Sequence, residues 1–270
     1  MMHRVDVVLV ERGLCRSREA ARSAVLEGRV RVDGLVVRKP SVKVLSGADV
    51  CVEGQEDVWA SRGALKLLSA LEVFEPQGLS VRGRRVLDAG ASTGGFTDVV
   101  LSKGAREVVA VDVGHDQLIP RLVGDPRVLN LEGTNLRGIT PELCGGVCDA
   151  MVGDVSFISL RLVLPAIAEC LEVGADALPM VKPQFEVGKD RVGAGGVVRD
   201  PALRHEAVMD VVRCAVSLGF ECRGVVASAV PGPSGNVEFF LWLRKVSGSV
   251  QVDVAQIERQ VATAIEEGPQ

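Results

Sequence analysis

Apolar residues recur at helical spacing over residues 5–11, and Gly13 stops the run. Ser17 is then placed as the N-cap of a second short helix over 17–27, whose apolar face is Ala20, Ala21, Ala24 and Val25, with Gly28 just beyond its end. Residues 29–32 and 35–37 are β-forming runs around Asp33-Gly34, a strong hairpin signal, and 42–44 and 49–52 predict two more short strands. From residue 85 the pattern changes to buried-type strands spaced by helices. Strands are predicted at 85–88, 107–112, 128–132, 150–153 and 177–181, with helices at 96–102, 116–122, 160–171 and 201–218 between or after them. Two final strands, 221–227 and 238–243, have only a loop between them, which predicts an antiparallel pair. The expected class is α/β: a seven-stranded, mostly parallel, Rossmann-like sheet with helices on both faces, preceded by a small α+β unit.

Composition adds a boundary to this picture. The chain of 270 residues is 47% hydrophobic and 24% charged, enough apolar material for a core in each of two domains. The polar stretch 53–60 is the expected linker, giving domains at 1–52 and 61–246 and a tail, 247–270, read as a loop and a short amphipathic helix. Charge divides along the same line: residues 1–47 hold ten Lys/Arg against five Asp/Glu, while the rest of the chain carries a net charge of −9. A basic head on an acidic body suits a polyanionic partner for the head, although a solvated helix face would look the same.

The seven cysteines are scattered, with only Cys144 and Cys148 close together and no second pair or His at ligand spacing. Reduced thiols in a cytoplasmic protein are expected, with no metal. Arg4 and Asp6 interrupt the apolar start, so no signal peptide is read, and no run approaches the roughly 18 apolar residues of a membrane helix.

Candidate chemistry begins where the first strand of the sheet ends. Leu87-Asp88 opens into Ala89, Gly90, Ala91, Ser92, Thr93, Gly94, Gly95 and Phe96, a glycine-rich turn at the carboxyl end of a parallel strand, where ligands bind such sheets. Glycines allow close approach of backbone to ligand, and the helix start behind them offers unpaired N–H groups. Nicotinamide and flavin enzymes share this signal. The spacing, which is not G-x-G-x-x-G, and Asp112 at the end of the next strand favour S-adenosylmethionine, with the carboxylate on the ribose hydroxyls; a loop-capping Asp112 is the alternative. Val113 follows it, and Thr134-Asn135 lie where the adenine edge would be met. Ser156 and Phe157 are expected to shape the cofactor pocket, and Phe185, Glu186 and the loop 193–196 to form a mobile lip.

Two resemblances sharpen these readings. "VLVERGLCRSREAARSAVLEGRVRVDGLVVRKP" resembles the ribosomal S-four-type (alpha-L) RNA-binding domain. That likeness implies that Arg4, Arg12, Arg16, Arg18 and Arg22 face structured RNA, since a guanidinium fork bonds two phosphate oxygens at once; Arg62 and Arg199, outside that motif, are phosphate-contact candidates or structural ion pairs. "SRGALKL", "VLDAGASTGGFTDVVL", "VDVGHDQL", "GDVSFISL", "VKPQFEVGK", "GGVVRDP" and "PSGNVEFFLWL" occur in the order found in the TlyA (haemolysin A-like) family, with Ala64 standing where many relatives have Gly. This similarity implies an FtsJ-like domain that methylates the ribose 2'-oxygen of ribosomal RNA, at cytidine, in the 16S or 23S molecule or both. It implies a tetrad of Lys66, Asp154, Lys182 and Glu238 as the catalytic residues, ribosomal RNA or ribosomal subunits as partners, and no DNA or membrane. Three rivals stand beside it. A base methyltransferase would carry Asn/Asp-Pro-Pro-aromatic where the chain reads Asp154-Val155-Ser156-Phe157, or a Pro-Cys nucleophile, which is absent. A membrane-lytic protein would need a spanning or long amphipathic segment, and a non-catalytic RNA-binding factor would not need the tetrad.

Overall fold

The computed structural model describes residues 2–12, 14–15, 18–45, 47–53, 59–232 and 234–269. The helix stop Gly13, the cap Ser17, the RNA-binding candidate Arg16 and residues 54–58 of the expected linker lie outside them. The chain divides into two compact units, Met1–Val58 and Trp59–Gln270.

In the first unit β1 (Met2–Arg4) leads directly into α1 (Val5–Glu11), followed by α2 (Arg18–Leu26), β2 (Val30–Val32), β3 (Leu35–Val37), β4 (Lys43–Leu45) and β5 (Val50–Val52). β2 is the centre of a three-stranded antiparallel sheet between β3 and β5. Asp33 and Gly34 take φ of 49° and 81°, the left-handed pair that a tight two-residue hairpin requires. β1 was not expected: three residues cannot display an alternation, and its place is set by pairing with β4, Met2 opposite Leu45. The core is small and aliphatic, with Val5, Leu9, Ala21, Val25, Val30 and Val44 at its centre.

Three of the candidate RNA-binding arginines are engaged within this unit. Arg4 makes two hydrogen bonds, of 2.9 and 2.8 Å, to the carboxylate of Asp6, which is fully buried; Arg18 approaches the same carboxylate at 3.6 Å. These guanidinium contacts hold the Asp6 carboxyl below its ordinary range, the Arg4 hydrogen bond being the main cause. Arg12 donates to the carbonyl of Ala48 at 2.7 Å. Arg18 and Arg22 lie exposed on α2.

The second unit opens with α3 (Gly63–Phe74) and continues through β6 (Arg85–Ala89), α4 (Gly95–Ser102), β7 (Glu107–Val111), α5 (Pro120–Val123), β8 (Val128–Leu131), β9 (Cys148–Gly153), α6 (Leu160–Glu169), β10 (Leu171–Val181), α7 (Pro183–Glu186), α8 (Pro201–Ser217), β11 (Phe220–Ala227), β12 (Phe239–Lys245) and α9 (Val254–Glu267). Seven of these strands form one sheet in the order β11-β12-β10-β9-β6-β7-β8. β10, β9, β6, β7 and β8 run parallel, and β12 is antiparallel to both of its neighbours. Side-chain alternation feeds two cores: Phe239, Leu241 and Leu243 pack on one face with α6, α8 and α9, while Phe240 and Trp242 pack on the other with α3 and α4. Because both faces are covered, the strands are mostly apolar, with unbroken runs such as Val108–Val111 and Phe239–Leu243.

Several boundaries differ from expectation. The helix predicted over 160–171 stops at Glu169, and β10 starts at Leu171, with a register break against β9 between Leu171 and Asp176. The start of β10 is half-exposed, with Val173 open to solvent, and it pairs irregularly with β9, so it lacks the buried run that marks the rest of the strand. The helix predicted over 116–122 is only Pro120–Val123. Ahead of it Asp116 adopts φ 54°, and the carboxylate of Glu132 accepts the backbone N–H groups of Asp116, Gln117 and Leu118 at 3.0, 2.9 and 3.1 Å, which holds a turn there. β12 begins at Phe239, leaving Glu238 just outside it. The tail contains a fourteen-residue helix, α9, which buries Ile257, Val261 and Ala264 in the core.

Candidate active site

The glycine-rich turn leaves β6 at the carboxyl end of the parallel strands. Gly90 takes φ 86°, and a Cβ there would lie 3.1 Å from the backbone oxygen of Asp154, so this position needs glycine for both conformation and space. Ser92 at φ 48° and Gly94 at φ 98° complete the bend into α4. Asp112 reaches back from the end of β7: one carboxylate oxygen accepts the Ser92 N–H at 2.8 Å and the other the Gly114 N–H at 2.7 Å. The loop-capping contacts weighed for Asp112 are therefore present, and they hold the carboxylate at the mouth of the turn.

Asp88 lies beneath the turn with no exposure. One of its oxygens accepts the hydroxyl of Thr97 at 2.6 Å, and the other has no hydrogen-bond partner among the described residues. Burial pushes its carboxyl up to about 7, opposed by the Thr97 hydrogen bond and assisted by the nearby charges of Asp154 and Asp112. Thr97, one turn into α4, was missed in the sequence because nothing in its spacing links it to Asp88.

Strand register assembles the charged cluster. Val181 of β10 pairs with Phe239 of the antiparallel β12, so the next residues outward, Lys182 and Glu238, are neighbours at the sheet edge. β9 runs parallel to β10 and ends one residue before Asp154, and α3 presents Lys66 from the face that it shares with Phe240. Lys66 Nζ lies 2.6 Å from Glu238 and 3.9 Å from Asp154 Oδ2; Lys182 Nζ lies 2.5 Å from Asp154 Oδ1. Lys66, Lys182 and Glu238 are buried, at 7%, 6% and 1% exposure, and such charges persist inside a protein only when paired. The order Glu238, Lys66, Asp154, Lys182 alternates acid and amine. Gly232 makes room for it, since a Cβ there would lie 2.7 Å from Glu238 Oε1.

The structure places the remaining candidates as follows. Ser156, expected in the cofactor pocket, accepts a hydrogen bond from Lys182 Nζ at 2.5 Å. Phe157 is 91% exposed at φ 64°, with its ring 5.3 Å from that of Phe185. Phe96 is 3% exposed and stacks on Phe240 in the core, and Ala91 is buried as well; both support the turn from beneath. Thr93 donates from its hydroxyl to Ala60, and Val113 is exposed beside Asp112. The Asn135 side-chain oxygen accepts the Arg137 N–H at 3.0 Å, and the Thr134 hydroxyl donates to the Glu132 carbonyl at 3.4 Å. Arg62 is exposed at the start of α3.

Glu186 is a correction. It is 6% exposed, accepts the Ser159 hydroxyl at 2.5 Å and the Leu160 N–H at 2.7 Å, and so fastens the start of α6 where a mobile lip was expected. The loop 193–196 is tied down in turn by Asn236, whose amide donates to Gly196 at 2.8 Å and accepts from the Val198 N–H at 2.9 Å. Among the described residues no helix is long and apolar enough to cross a membrane, and no His, Cys, Asp and Glu side chains group as a metal site.

Comparison with known proteins agrees with this geometry. Residues 59–245 match the FtsJ-like methyltransferase family and residues 3–50 the S4 domain. The chain is 54% identical over 98% of its length, and 98% of the relative's, to the 16S/23S rRNA (cytidine-2'-O)-methyltransferase TlyA of Mycobacterium tuberculosis. It is 34% identical to the 23S rRNA (cytidine-2'-O)-methyltransferase TlyA of Campylobacter jejuni, over 70% of this chain and 72% of that one. A solved structure carrying a hemolysin name, from Streptococcus thermophilus, is 41% identical and superposes with a TM-score of 0.76, covering 98% of this chain and 96% of the other. The chain belongs to the TlyA family of FtsJ-like methyltransferases, with an S4 domain ahead of the methyltransferase domain.

Proposed function

We propose that the protein transfers a methyl group from S-adenosylmethionine to the ribose 2'-oxygen of cytidine in ribosomal RNA, in the 16S or 23S molecule or both, and that it works in the cytoplasm on ribosomal RNA or ribosomal subunits. The observation that carries this reading is the convergence of two amines and two carboxylates at the strand ends beside the glycine-rich turn.

The residues of the turn suit the donor. Backbone at Gly90 passes within contact of the Asp154 segment with no side chain in the way, and the carboxylates of Asp112 and Asp154 flank the space, an acidic surround fitted to a ligand that carries a sulfonium and an ammonium. Gly90, Ser92, Asp112 and Asp154 would hold it, with Val113 and Asn135 toward the base. When bound, it supplies an electrophilic methyl group.

A ribose hydroxyl is a poor nucleophile, so its proton must leave as the oxygen attacks. Lys182 is the base in this reading: it ends an apolar strand, is 6% exposed, and is held at its amine by Asp154. Lys66, locked by Glu238, also stands beside Asp154, so that carboxylate is shared between two amines and does not hold Lys182 alone. The exposed Phe157 ring beside this cluster offers a stacking face to a nucleobase. The S4 domain supplies RNA affinity through exposed arginines on α2, Arg18 and Arg22.

Lys182→Ala tests the reading. Methyl transfer to ribosomal RNA should fall by at least about 100-fold, the range lost with a general base, while RNA and cofactor binding hold. A variant that keeps its rate refutes the assignment.

A further inference from the structure

We infer that Ser156 is a positioning residue: its hydroxyl is the second anchor that fixes the direction of the Lys182 amine. This inference rests on the reading of Lys182 as the base. Lys182 Nζ is ion-paired with Asp154 Oδ1 at 2.5 Å, a contact without hydrogen-bond alignment, and donates a hydrogen bond to Ser156 Oγ at the same distance. A lysine amine sits at the end of a long flexible stem, and its nitrogen can offer contacts in several directions. A single anchor at Asp154 leaves the amine free to swivel about the line joining the two groups. A second, off that line, removes the swivel and leaves one direction open.

Both anchors come from one short piece of chain whose path is fixed. The Asp154 N–H donates to the Ala89 carbonyl at 3.1 Å, and its backbone lies against Gly90 on the glycine-rich turn. Two residues on, Ser156 is followed by Phe157 at φ 64°, a conformation costly for a bulky residue. That bend ends the segment directly after the hydroxyl. The same loop that supports the cofactor turn thus also aims the base, so donor and amine are referenced to one frame. Ser156 is itself exposed, whereas Lys182 is 6% exposed; the hydroxyl stands on the open side of the amine, where substrate arrives.

The test is a series at this position in the full chain, with ribosomal RNA as substrate: Ser156→Ala, Ser156→Thr and Ser156→Cys. Ser156→Ala should lower kcat by about 10- to 100-fold, the loss expected for a misaimed group, with KM for RNA and the calorimetric Kd for S-adenosylmethionine within about twofold of the parent. Ser156→Thr keeps the hydroxyl and should restore most of kcat, whereas Ser156→Cys, of similar size but a poor acceptor, should behave like alanine. Because the position is exposed, the melting temperature should move little in all three. An alanine variant with the parent's kcat, a threonine variant as slow as alanine, or a loss confined to KM or cofactor affinity would overturn the inference. Lys182→Ala run alongside separates the two ideas: activity retained there brings down the base assignment itself, while an inactive Lys182→Ala with a fully active Ser156→Ala brings down only the anchor.

Discussion

Removing Glu238 and Lys66, singly and together, separates what the buried pair does for stability from what it does for catalysis. Glu238 is 1% exposed and its carboxylate sits 2.6 Å from Lys66 Nζ. Lys66→Met strands that carboxylate away from its cation, and breaking a buried pair costs about 3–5 kcal/mol. Glu238→Leu strands Lys66 instead, but Asp154 remains 3.9 Å from the amine, so the loss should fall lower, at about 2–3 kcal/mol. In a unit that spans Trp59–Gln270, each kcal/mol lowers the melting temperature by roughly 2–4 °C, which makes both changes easy to read. The double variant Lys66→Met/Glu238→Leu removes both charges and fills the space with apolar atoms of similar size, so stability should return to within about 1 kcal/mol of the parent. Methyl transfer should stay lost in all three. Urea unfolding gives the first quantity and tritiated methyl transfer to ribosomal RNA the second. A double variant as unstable as its worse parent would show that the pair is not what compensates these charges; one that regains activity would remove the tetrad from the chemistry.

Asp88, buried and titrating near 7 in the folded protein against 3.8 in an open chain, makes stability pH-dependent in a defined direction. Between about pH 4 and 7 the folded chain keeps a proton that the unfolded chain releases, so this contribution should fall as pH rises, by on the order of 4 kcal/mol in total, and then level off. Asp88→Asn should flatten that slope, measured as the difference between the two unfolding curves across the window. Gly90→Ala places a Cβ at φ 86° and 3.1 Å from the Asp154 carbonyl; stability should drop by about 1–2 kcal/mol and calorimetry should show weaker S-adenosylmethionine binding. Arg22→Ala should weaken RNA binding and reduce the slope of log affinity against log salt by about 0.7–0.9, one phosphate's worth, with cofactor affinity unchanged.

The sequence displayed best what is local or repeated. Val108–Val111 of β7 and Phe239–Leu243 of β12 are unbroken apolar runs because helices cover both faces of the sheet, and the Asp33-Gly34 turn announces itself by residue type. The placing of Lys66, Asp154, Lys182 and Glu238 in one cluster was legible only through the order of family motifs, since the residues that touch are up to 172 positions apart. What stayed hidden depends on partners distant in sequence. Nothing near Glu132 shows that its carboxylate collects the amides of the 116–118 turn, nor near Glu186 that it fastens α6 across 26 residues. Arg4 reads as a phosphate ligand by type, and the buried acid two residues on claims it. β1 is too short to carry a pattern, and the ragged start of β10 imitates the end of a helix.

The last strand of the sheet is not at its edge. β12 fills the slot between β10 and β11, both of which precede it in the chain. A nascent polypeptide that has reached β11 therefore owns the cofactor turn and both lysines, yet two strand flanks stay open and Lys66 has no Glu238 to receive it. Insertion of residues 239–245 closes the gap and delivers the final carboxylate in the same event. If the cluster acts as proposed, methyl transfer waits for β12, and a product cut before Phe239 lacks it.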